Sequence, residues 1–193
     1  MQHSHPVPTS APPPWRHVVE GLEHDDAGRL YSPRIRERVR SLGSSPDVES
    51  LAAVSLAEKA VSGTLEASID DLGLTLAQYR ALVWIRQSGQ AGTHMRPIAD
   101  ACNVTPRTIT GIVDGLEAAG LVERVPDPAD RRAVIARLTE EGARRFDAAR
   151  ARQAEVSQRL LSALEPEQRE ALRDLCLRLL RSAAALGRQE ADR

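Results

Sequence analysis

The sequence predicts a mainly α-helical protein with one small β-hairpin, and three observations support this fold class. Apolar residues recur at intervals of three and four along most of the chain from residue 47 onward, which is the period of an amphipathic helix. Two short β-capable runs, Leu121 to Val125 and Ala133 to Leu138, are joined by a turn rich in proline and aspartate. Between residues 105 and 120, a helix start signal and a helix stop signal enclose a segment with helical periodicity.

The helix start signal is the pair Thr105-Pro106. The threonine hydroxyl can cap the first turn, and the proline ring already holds the helical φ angle at the first position. Gly120 stands where a helix of this length should end, because glycine readily takes the left-handed conformation that follows a C-cap. The apolar residues at intervals of three and four between these signals predict one buried side, formed by Ile109, Ile112, Val113 and Leu116.

A second, shorter helix is predicted from Ile98 to Cys102, and Asn103-Val104 forms the turn between the two helices. Ala99 is small enough to let the helices cross closely. Such a pair is a helix-turn-helix, whose second helix normally enters the DNA major groove. The hairpin that follows it is a wing, with Arg131-Arg132 closing the turn, so the fold class is a winged helix-turn-helix.

Three sequence runs in this region resemble the MarR family of bacterial winged-helix regulators. They are Gly120-Leu121-Val122-Glu123-Arg124, the spacing Asp127-x-x-Asp130-Arg131-Arg132, and Leu138-Thr139-x-x-Gly142. The resemblance covers roughly residues 50 to 185, and the wing is its most specific part. It implies that the first long helix and the last two helices interlock with those of a second subunit. The long apolar stripes of these helices independently predict an interface, because the small winged domain cannot cover them.

The predicted organisation has four parts. A Pro-rich disordered tail spans 1–14, and an N-terminal extension, partly helical, spans 15–46. Helical dimerisation segments span 47–72 and 140–187, and the winged DNA-binding domain spans 73–139. The extension contains an arginine cluster that could touch the DNA backbone or pack on the dimer, and the second interpretation is favoured. The cluster consists of Arg29, Arg34, Arg36, Arg38 and Arg40.

Composition bounds the function. The 193 residues are 41% hydrophobic, which suffices for a core, but only 3% aromatic, so aliphatic side chains must fill it. No apolar run is long enough to span a membrane, and no secretory signal is recognisable, so we expect a cytoplasmic protein without membrane contact. The net charge of −1 does not by itself indicate nucleic-acid binding. The DNA interpretation therefore depends on where arginines lie, with four of them against two aspartates between residues 124 and 137.

An enzyme is not expected. The chain has no Gly-rich phosphate loop, no His/Cys spacing typical of a metal site and no nucleophile elbow, so we predict no catalytic residue, metal or cofactor. Cys102 has no histidine nearby in sequence that would activate it, although a redox role for it stays open. Cys176 is expected to be an inert core residue because leucines flank it.

The predicted DNA contacts follow from side-chain chemistry. Arginine can read guanine, and threonine can meet bases or phosphate, so Arg107, Thr108 and Thr110 are the candidates for base edges. Gly111 would let the duplex approach the helix backbone, and Asp114 would orient a neighbouring arginine. At the wing tip, arginines suit the narrow minor groove, where negative potential is concentrated. The DNA-binding set is Thr105, Arg107, Thr108, Thr110, Gly111, Asp130, Arg131 and Arg132, with Asp130 bracing a wing arginine.

A small-molecule effector is expected where the winged domain joins the dimerisation helices. The family's urate- and phenol-responsive branch carries an acidic residue beside an aromatic in this region, but here the pair is Tyr79-Arg80. An anionic or aromatic ligand is the alternative, because an arginine could meet it. The predicted ligand-binding residues are Trp15, Tyr79, Arg80, Trp84 and His94.

The function that these observations favour is a homodimeric regulator, a repressor, that binds double-stranded DNA at a pseudo-palindromic operator and responds to a small ligand. Two alternatives remain. The winged helix could serve only for protein contact, in which case paired arginines at the wing tip have no use. The chain could also be a thiol redox sensor acting through Cys102, which requires a low thiol pKa.

Overall fold

The computed structural model describes residues 21–41, 45–130 and 133–191. The chain forms two compact units, which meet in sequence between residues 64 and 65. The predicted tail at 1–14 and Trp15 lie outside the described residues. In the described ranges, no helix is both long enough and apolar enough to cross a membrane.

The first unit contains a hairpin that the sequence reasoning missed. Strands β1 (Glu23–His24) and β2 (Leu30–Tyr31) pair antiparallel, and the helix α1 (Pro33–Ser41) follows. Asp25 organises the hairpin loop, because its Oδ1 accepts hydrogen bonds from the backbone N–H groups of Ala27 and Arg29 at 3.0 and 2.9 Å. These bonds hold the pKa of the Asp25 carboxyl below its usual value, with Arg29 as the main cause.

Helix α2 (Pro46–Ala67) is shorter than the predicted 47–72 helix, and a 3₁₀ turn at Asp70–Leu72 follows it. Side chains of a later helix bond to carbonyls near its end and in the turn that follows. Gln153 Nε2 donates to the carbonyl of Leu65 at 2.7 Å, and Arg145 donates to the carbonyl of Leu72 at 2.6 Å. These donors satisfy carbonyls that would otherwise need further helical turns. None of the residues of α2 is buried in this chain.

The second unit holds the winged helix-turn-helix, and the predicted cap at Thr105 is confirmed. Thr75 forms a capping box with Gln78, and Thr105 and Thr139 each accept a hydrogen bond from an N–H of the following turn. The elements after α2 are α3 (Leu76–Gln87), β3 (Thr93–His94), α4 (Met95–Cys102), α5 (Pro106–Ala118), β4 (Val122–Pro126), β5 (Val134–Leu138), α6 (Glu140–Leu161) and α7 (Pro166–Ala191).

The core of this unit is aliphatic apart from one phenylalanine, as the low aromatic content predicts. The predicted stripe of α5 is confirmed, because Ile109, Val113 and Leu116 are fully buried and Ile112 packs against them. Ala99 of α4 is also buried at the crossing of the helix pair. The other buried members include Ile69, Leu82, Ile85, Ile98, Leu121, Val122, Ala136 and Phe146.

The predicted wing hairpin is confirmed and has an additional strand. β4 and β5 pair antiparallel, with Val122 opposite Leu138 and Arg124 opposite Ala136. The short β3 pairs with the other edge of β5, which gives a three-stranded sheet in the order β3-β5-β4. Because β3 leads directly into α4, the sheet ties the wing to the start of the helix-turn-helix.

Helix α6 ends at Leu161, and α7 differs from expectation at one residue. Cys176 is exposed, and the prediction that it is a core residue is wrong, since α7 packs little of its surface against this chain. The leucines that flank it are exposed as well, and in the described residues the large exposed apolar side chains of α7 are Leu172, Leu175, Leu177, Leu179, Leu180 and Leu186.

One close approach joins the end of α5, the start of β4 and the start of α6. The Thr139 N–H donates to the carbonyl of Leu121 at 3.1 Å, and the Thr139 hydroxyl donates to the carbonyl of Gly120 at 2.7 Å. Gly142 packs directly on Leu121, and a Cβ built on Gly142 would lie within 3 Å of backbone atoms of that residue. Only glycine fits there without moving the backbone.

We expect Gly142→Ala to lower the free energy of unfolding by about 1–3 kcal/mol, because the added methyl group collides with backbone. Alanine normally stabilises a helix interior relative to glycine by about 1 kcal/mol, so the clash must exceed that gain. Gly187→Ala in α7 is the matched control, because nothing lies within 4 Å of a Cβ built on that glycine. Urea unfolding of both variants tests this, and a Gly142 variant as stable as the Gly187 variant would contradict it.

Candidate nucleic-acid interface

The second helix of the motif begins at a fixed point. Asn103 takes the left-handed conformation, with φ of 52°, and so turns the chain sharply after α4. The Thr105 hydroxyl accepts the Thr108 N–H at 3.1 Å, and Pro106 follows at the first helical position. At the other end, Gly120 has φ of 70°, and its N–H and that of Leu121 bond back to the helix. Both ends of α5 are therefore set by local chemistry.

The outward side of α5 carries the residues that the sequence predicted. Arg107, Thr108, Thr110 and Gly111 are all exposed, and so is Thr105 at the cap. Nothing lies within 4 Å of a Cβ built on Gly111, so the helix backbone there is open. Within the part of the chain that the structure describes, Arg107 makes no ion pair or hydrogen bond through its side chain, and its guanidinium is available to a ligand.

The threonine hydroxyls are partly engaged. Thr110 Oγ1 donates to the carbonyl of Pro106 at 2.8 Å, so its oxygen retains acceptor capacity only. The hydroxyls of Thr105 and Thr108 lie 2.8 Å apart and share one hydrogen bond. Phosphate and base contacts by these threonines therefore compete with bonds inside the protein.

Arg124 of the wing connects β4 to α5. Its Nη1 lies 2.6 Å from Asp114 Oδ1 and 2.7 Å from Glu117 Oε2, and its Nη2 donates to the carbonyl of Thr110 at 3.4 Å. The prediction that Asp114 orients a neighbouring arginine is confirmed. Asp114 and Glu117 are the acidic residues of α5, and both are paired with this one guanidinium. Sequence reasoning missed the role of Arg124, although acids three residues apart share a helix side.

The wing turn is organised by Asp127. Its Oδ1 accepts the Ala129 N–H at 2.7 Å, and its Oδ2 lies 3.1 Å from His94 Nε2. The Ala133 N–H closes the turn on the carbonyl of Asp130 at 2.8 Å. Asp130 is exposed at this position, whereas Arg131 and Arg132 lie outside the described residues.

The predicted ligand residues are not gathered around one cavity. Tyr79 stacks on Phe146 with ring centroids 5.9 Å apart, and burial raises the pKa of its phenol. Arg80 and Trp84 are exposed, and His94 is engaged with the wing. Two clefts of this unit, one bordered by Asn103 and the other by Arg86, are lined by none of these residues. Trp15, the remaining member, lies outside the described residues.

Cys102 is half-buried beside the helix-turn-helix turn, and burial raises the pKa of its thiol. A raised pKa leaves less thiolate at neutral pH, which is the opposite of what a redox-sensing cysteine needs. This argues against the thiol-sensor alternative at this residue.

Comparison with known proteins settles the family. The model of the MarR family matches residues 74–134. YhbI of Bacillus subtilis, an uncharacterized HTH-type transcriptional regulator, is 32% identical over 111 residues, which are 58% of this chain and 71% of YhbI. The chain belongs to the MarR family. It is thus a transcriptional regulator, and its relatives are regulators rather than enzymes.

Other MarR-family relatives share parts of the chain. The HTH-type transcriptional repressor NicR of Pseudomonas putida is 42% identical over 78 residues, which are 40% of this chain, and the chain spans only about half of it, 48%. The crystal structure of CouR from Rhodococcus jostii bound to p-coumaroyl-CoA is 33% identical, with a TM-score of 0.58, covering 64% of this chain and 86% of CouR. CouR bound to a 23-mer DNA duplex has a TM-score of 0.61 at 26% identity, covering 66% of this chain and 89% of CouR.

We expect Arg124→Met to weaken DNA binding, because it leaves the carboxylates of Asp114 and Glu117 on α5 without a cationic partner. It should also lower the free energy of unfolding by about 1 kcal/mol at low salt, and by less at high salt. Arg144→Met is the matched control, because Arg144 also pairs with two acids, Glu140 and Glu141, but lies in α6. Fluorescence anisotropy with labelled duplex measures the affinity, and equal affinities of the two variants would refute this role.

Proposed function

We propose that this MarR-family regulator is a homodimeric repressor that binds a pseudo-palindromic operator and leaves it when a small ligand binds. Each subunit places α5 in the major groove, and the two copies meet half-sites about one helical turn apart. The wing lies over the flanking minor groove. Because its target is bacterial DNA, we expect the protein to work in the cytoplasm.

The observation that carries this proposal is the open side of α5. Arg107 extends from it with no partner among the described residues, while Arg124 pairs with the acids Asp114 and Glu117 of the same helix and offsets one of their two negative charges. A duplex approaching this side meets an available guanidinium, exposed threonines and bare backbone at Gly111. These are groups that read base edges and accept a close phosphate backbone.

Wing contacts would supply the second part of the interface. Asp127 anchors the base of the turn through Ala129 and His94. We propose that Arg131 and Arg132 enter the minor groove from this turn and that Asp130 orients one of them. The DNA-bound structure of CouR supports a DNA-binding role for chains of this fold.

The apolar surface that the single chain leaves open supports a homodimer. Leu51, Val54 and Val61 of α2 are exposed, and so are Leu175 and Leu186 of α7. Exposed apolar residues repeated along long helices mark an interface. We propose that a second copy covers them, because a two-fold arrangement of regulators matches a two-fold operator.

An effector is the least constrained part of the proposal. CouR was solved with p-coumaroyl-CoA bound, which supports a small ligand that is anionic or aromatic. We propose that Tyr79, Arg80, Trp84 and His94 contribute to its site. In a dimer, a ligand there would favour one separation of the two recognition helices over another and so change DNA affinity.

Operator binding decides between this proposal and the protein-interaction alternative. We expect a sequence-specific gel shift on the protein's own promoter or on selected genomic fragments at moderate salt. Replacing Arg131 and Arg132 with alanine should weaken binding by several kcal/mol over both half-sites and reduce its salt dependence. Replacing Arg181 and Arg188, exposed arginines of α7, is the control and should leave binding intact. Absence of any specific shift for the unchanged protein would reject the regulator proposal in this form.

The homodimer is tested separately. Leu175 is 63% exposed in the single chain, so Leu175→Glu should leave the chain's own fold intact. In a dimer the same glutamate would be buried, and we expect the dimer dissociation constant to rise by at least about tenfold. Arg181→Glu places a glutamate on the side of α7 that carries Glu170, Asp174 and Arg178, away from Leu175, and serves as the control. Sedimentation equilibrium measures both, and a wild-type monomer at micromolar concentration would exclude the dimer.

A further inference from the structure

A cleft of about 620 Å³ lies inside the first unit, between the β1–β2 hairpin, α1 and the start of α2. Its size lies within the range of small-molecule sites. All residues that line it fall between Asp25 and Ala53. The MarR family model begins only at residue 74, so this cleft belongs to a part of the chain outside the family match. CouR, whose length is covered at 86%, accounts for only 64% of this chain.

Among the described residues, two of the three arginines that line the cleft are paired with a carboxylate and the third is not. Arg29 pairs with Asp25 at 2.9 Å, and Arg36 Nε lies 3.3 Å from Glu49 Oε1, so both carboxylates of the cleft are neutralised. Arg36 is also held by stacking, with its Cζ 3.8 Å from the centre of the Tyr31 ring. In the described ranges, Arg40 makes no ion pair or hydrogen bond through its side chain. The cleft therefore has one guanidinium more than it has carboxylates, and that one has no partner among the described residues.

Besides the charged residues and Tyr31, the lining consists of three serines, Ser32, Ser45 and Ser50, and five apolar residues. Leu30, Ile35, Val39, Pro46 and Ala53 contribute hydrocarbon surface next to the arginines. An inorganic anion would pair with Arg40 but leave the apolar side chains of the cleft exposed to water. A neutral hydrocarbon would cover these side chains but leave Arg40 without an anionic partner. A molecule that matches both features combines one anionic group with an apolar body.

We propose that this cleft is a ligand site for a small amphiphilic anion, with Arg40 binding the anionic group and the apolar side chains of α1 and α2 enclosing the body. Arg36 and Tyr31 shape the end of the cleft that takes the anionic group. The guanidinium of Arg36 is held in place by its stacking on Tyr31 and by its bond to Glu49. The assignment does not depend on the operator proposal, and it adds a site distinct from the one proposed near Tyr79.

Calorimetry on the full chain with 2-naphthoate as the probe tests the site. Naphthalene-2-carboxamide, which lacks the charge, and sulfate, which lacks the apolar body, are the comparison ligands. We expect 2-naphthoate to bind at least about tenfold more tightly than either, and Arg40→Gln to weaken it about tenfold. Arg38→Gln is the matched control, since Arg38 is an exposed arginine of the same helix that does not line the cleft.

A second pair of variants separates binding in the cleft from binding elsewhere. Ala53→Glu places volume and negative charge in the cleft and should abolish probe binding, whereas Ala57→Glu, one turn along α2 and outside the lining, should not. Thermal unfolding checks that all four variants remain folded. The proposal is overturned if 2-naphthoate does not bind, or if the control variants lose as much affinity as Arg40→Gln and Ala53→Glu. Failure of operator binding with intact probe binding would reject the repressor proposal alone.

Discussion

The close approach of Gly142 to Leu121 is the constraint on which the arrangement of the second unit depends. Here Gly120 and Leu121, which link α5 to β4, are hydrogen-bonded to Thr139, the N-cap of α6. The contact has no room for a side chain, so a shift of α6 must move this link between α5 and β4. A displacement of α6 would therefore be passed on to α5 rather than absorbed by loose packing.

The positions of the charged residues matter more for DNA binding than the net charge of the chain. The whole chain carries a net charge of −1, which gives no general attraction to DNA. At the surface of α5, one arginine of the wing pairs with two acids of the helix and offsets one of their two negative charges, while Arg107 remains available. Affinity would then come from a few well-placed guanidinium groups, and specificity would form a large part of the total because the non-specific background is small.

The sequence was most informative where structure is fixed by local chemistry. The caps at Thr105 and Thr139, the stop at Gly120 and the stripe of α5 follow from residue type and spacing, and the structure confirms them. Features that depend on distant partners could not be read this way. Gln153 bonds to Leu65 near the end of α2, and Arg145 bonds to Leu72 in the turn that follows, and these partners lie about 80 residues away in sequence. The exposure of Cys176 likewise depends on what packs against α7, which periodicity alone does not reveal.

The exposed apolar side chains of α2 and α7 have a consequence for the lifetime of the protein in a cell. Leu175 and Leu180 are exposed to water in the isolated chain. A partner that covers them would raise the free energy of unfolding, and this stabilisation would increase with the concentration of the partner. Newly made chains at low abundance would open more often and be degraded sooner than chains at high abundance. Turnover by proteases would thereby sharpen the response of such a regulator to changes in its own synthesis.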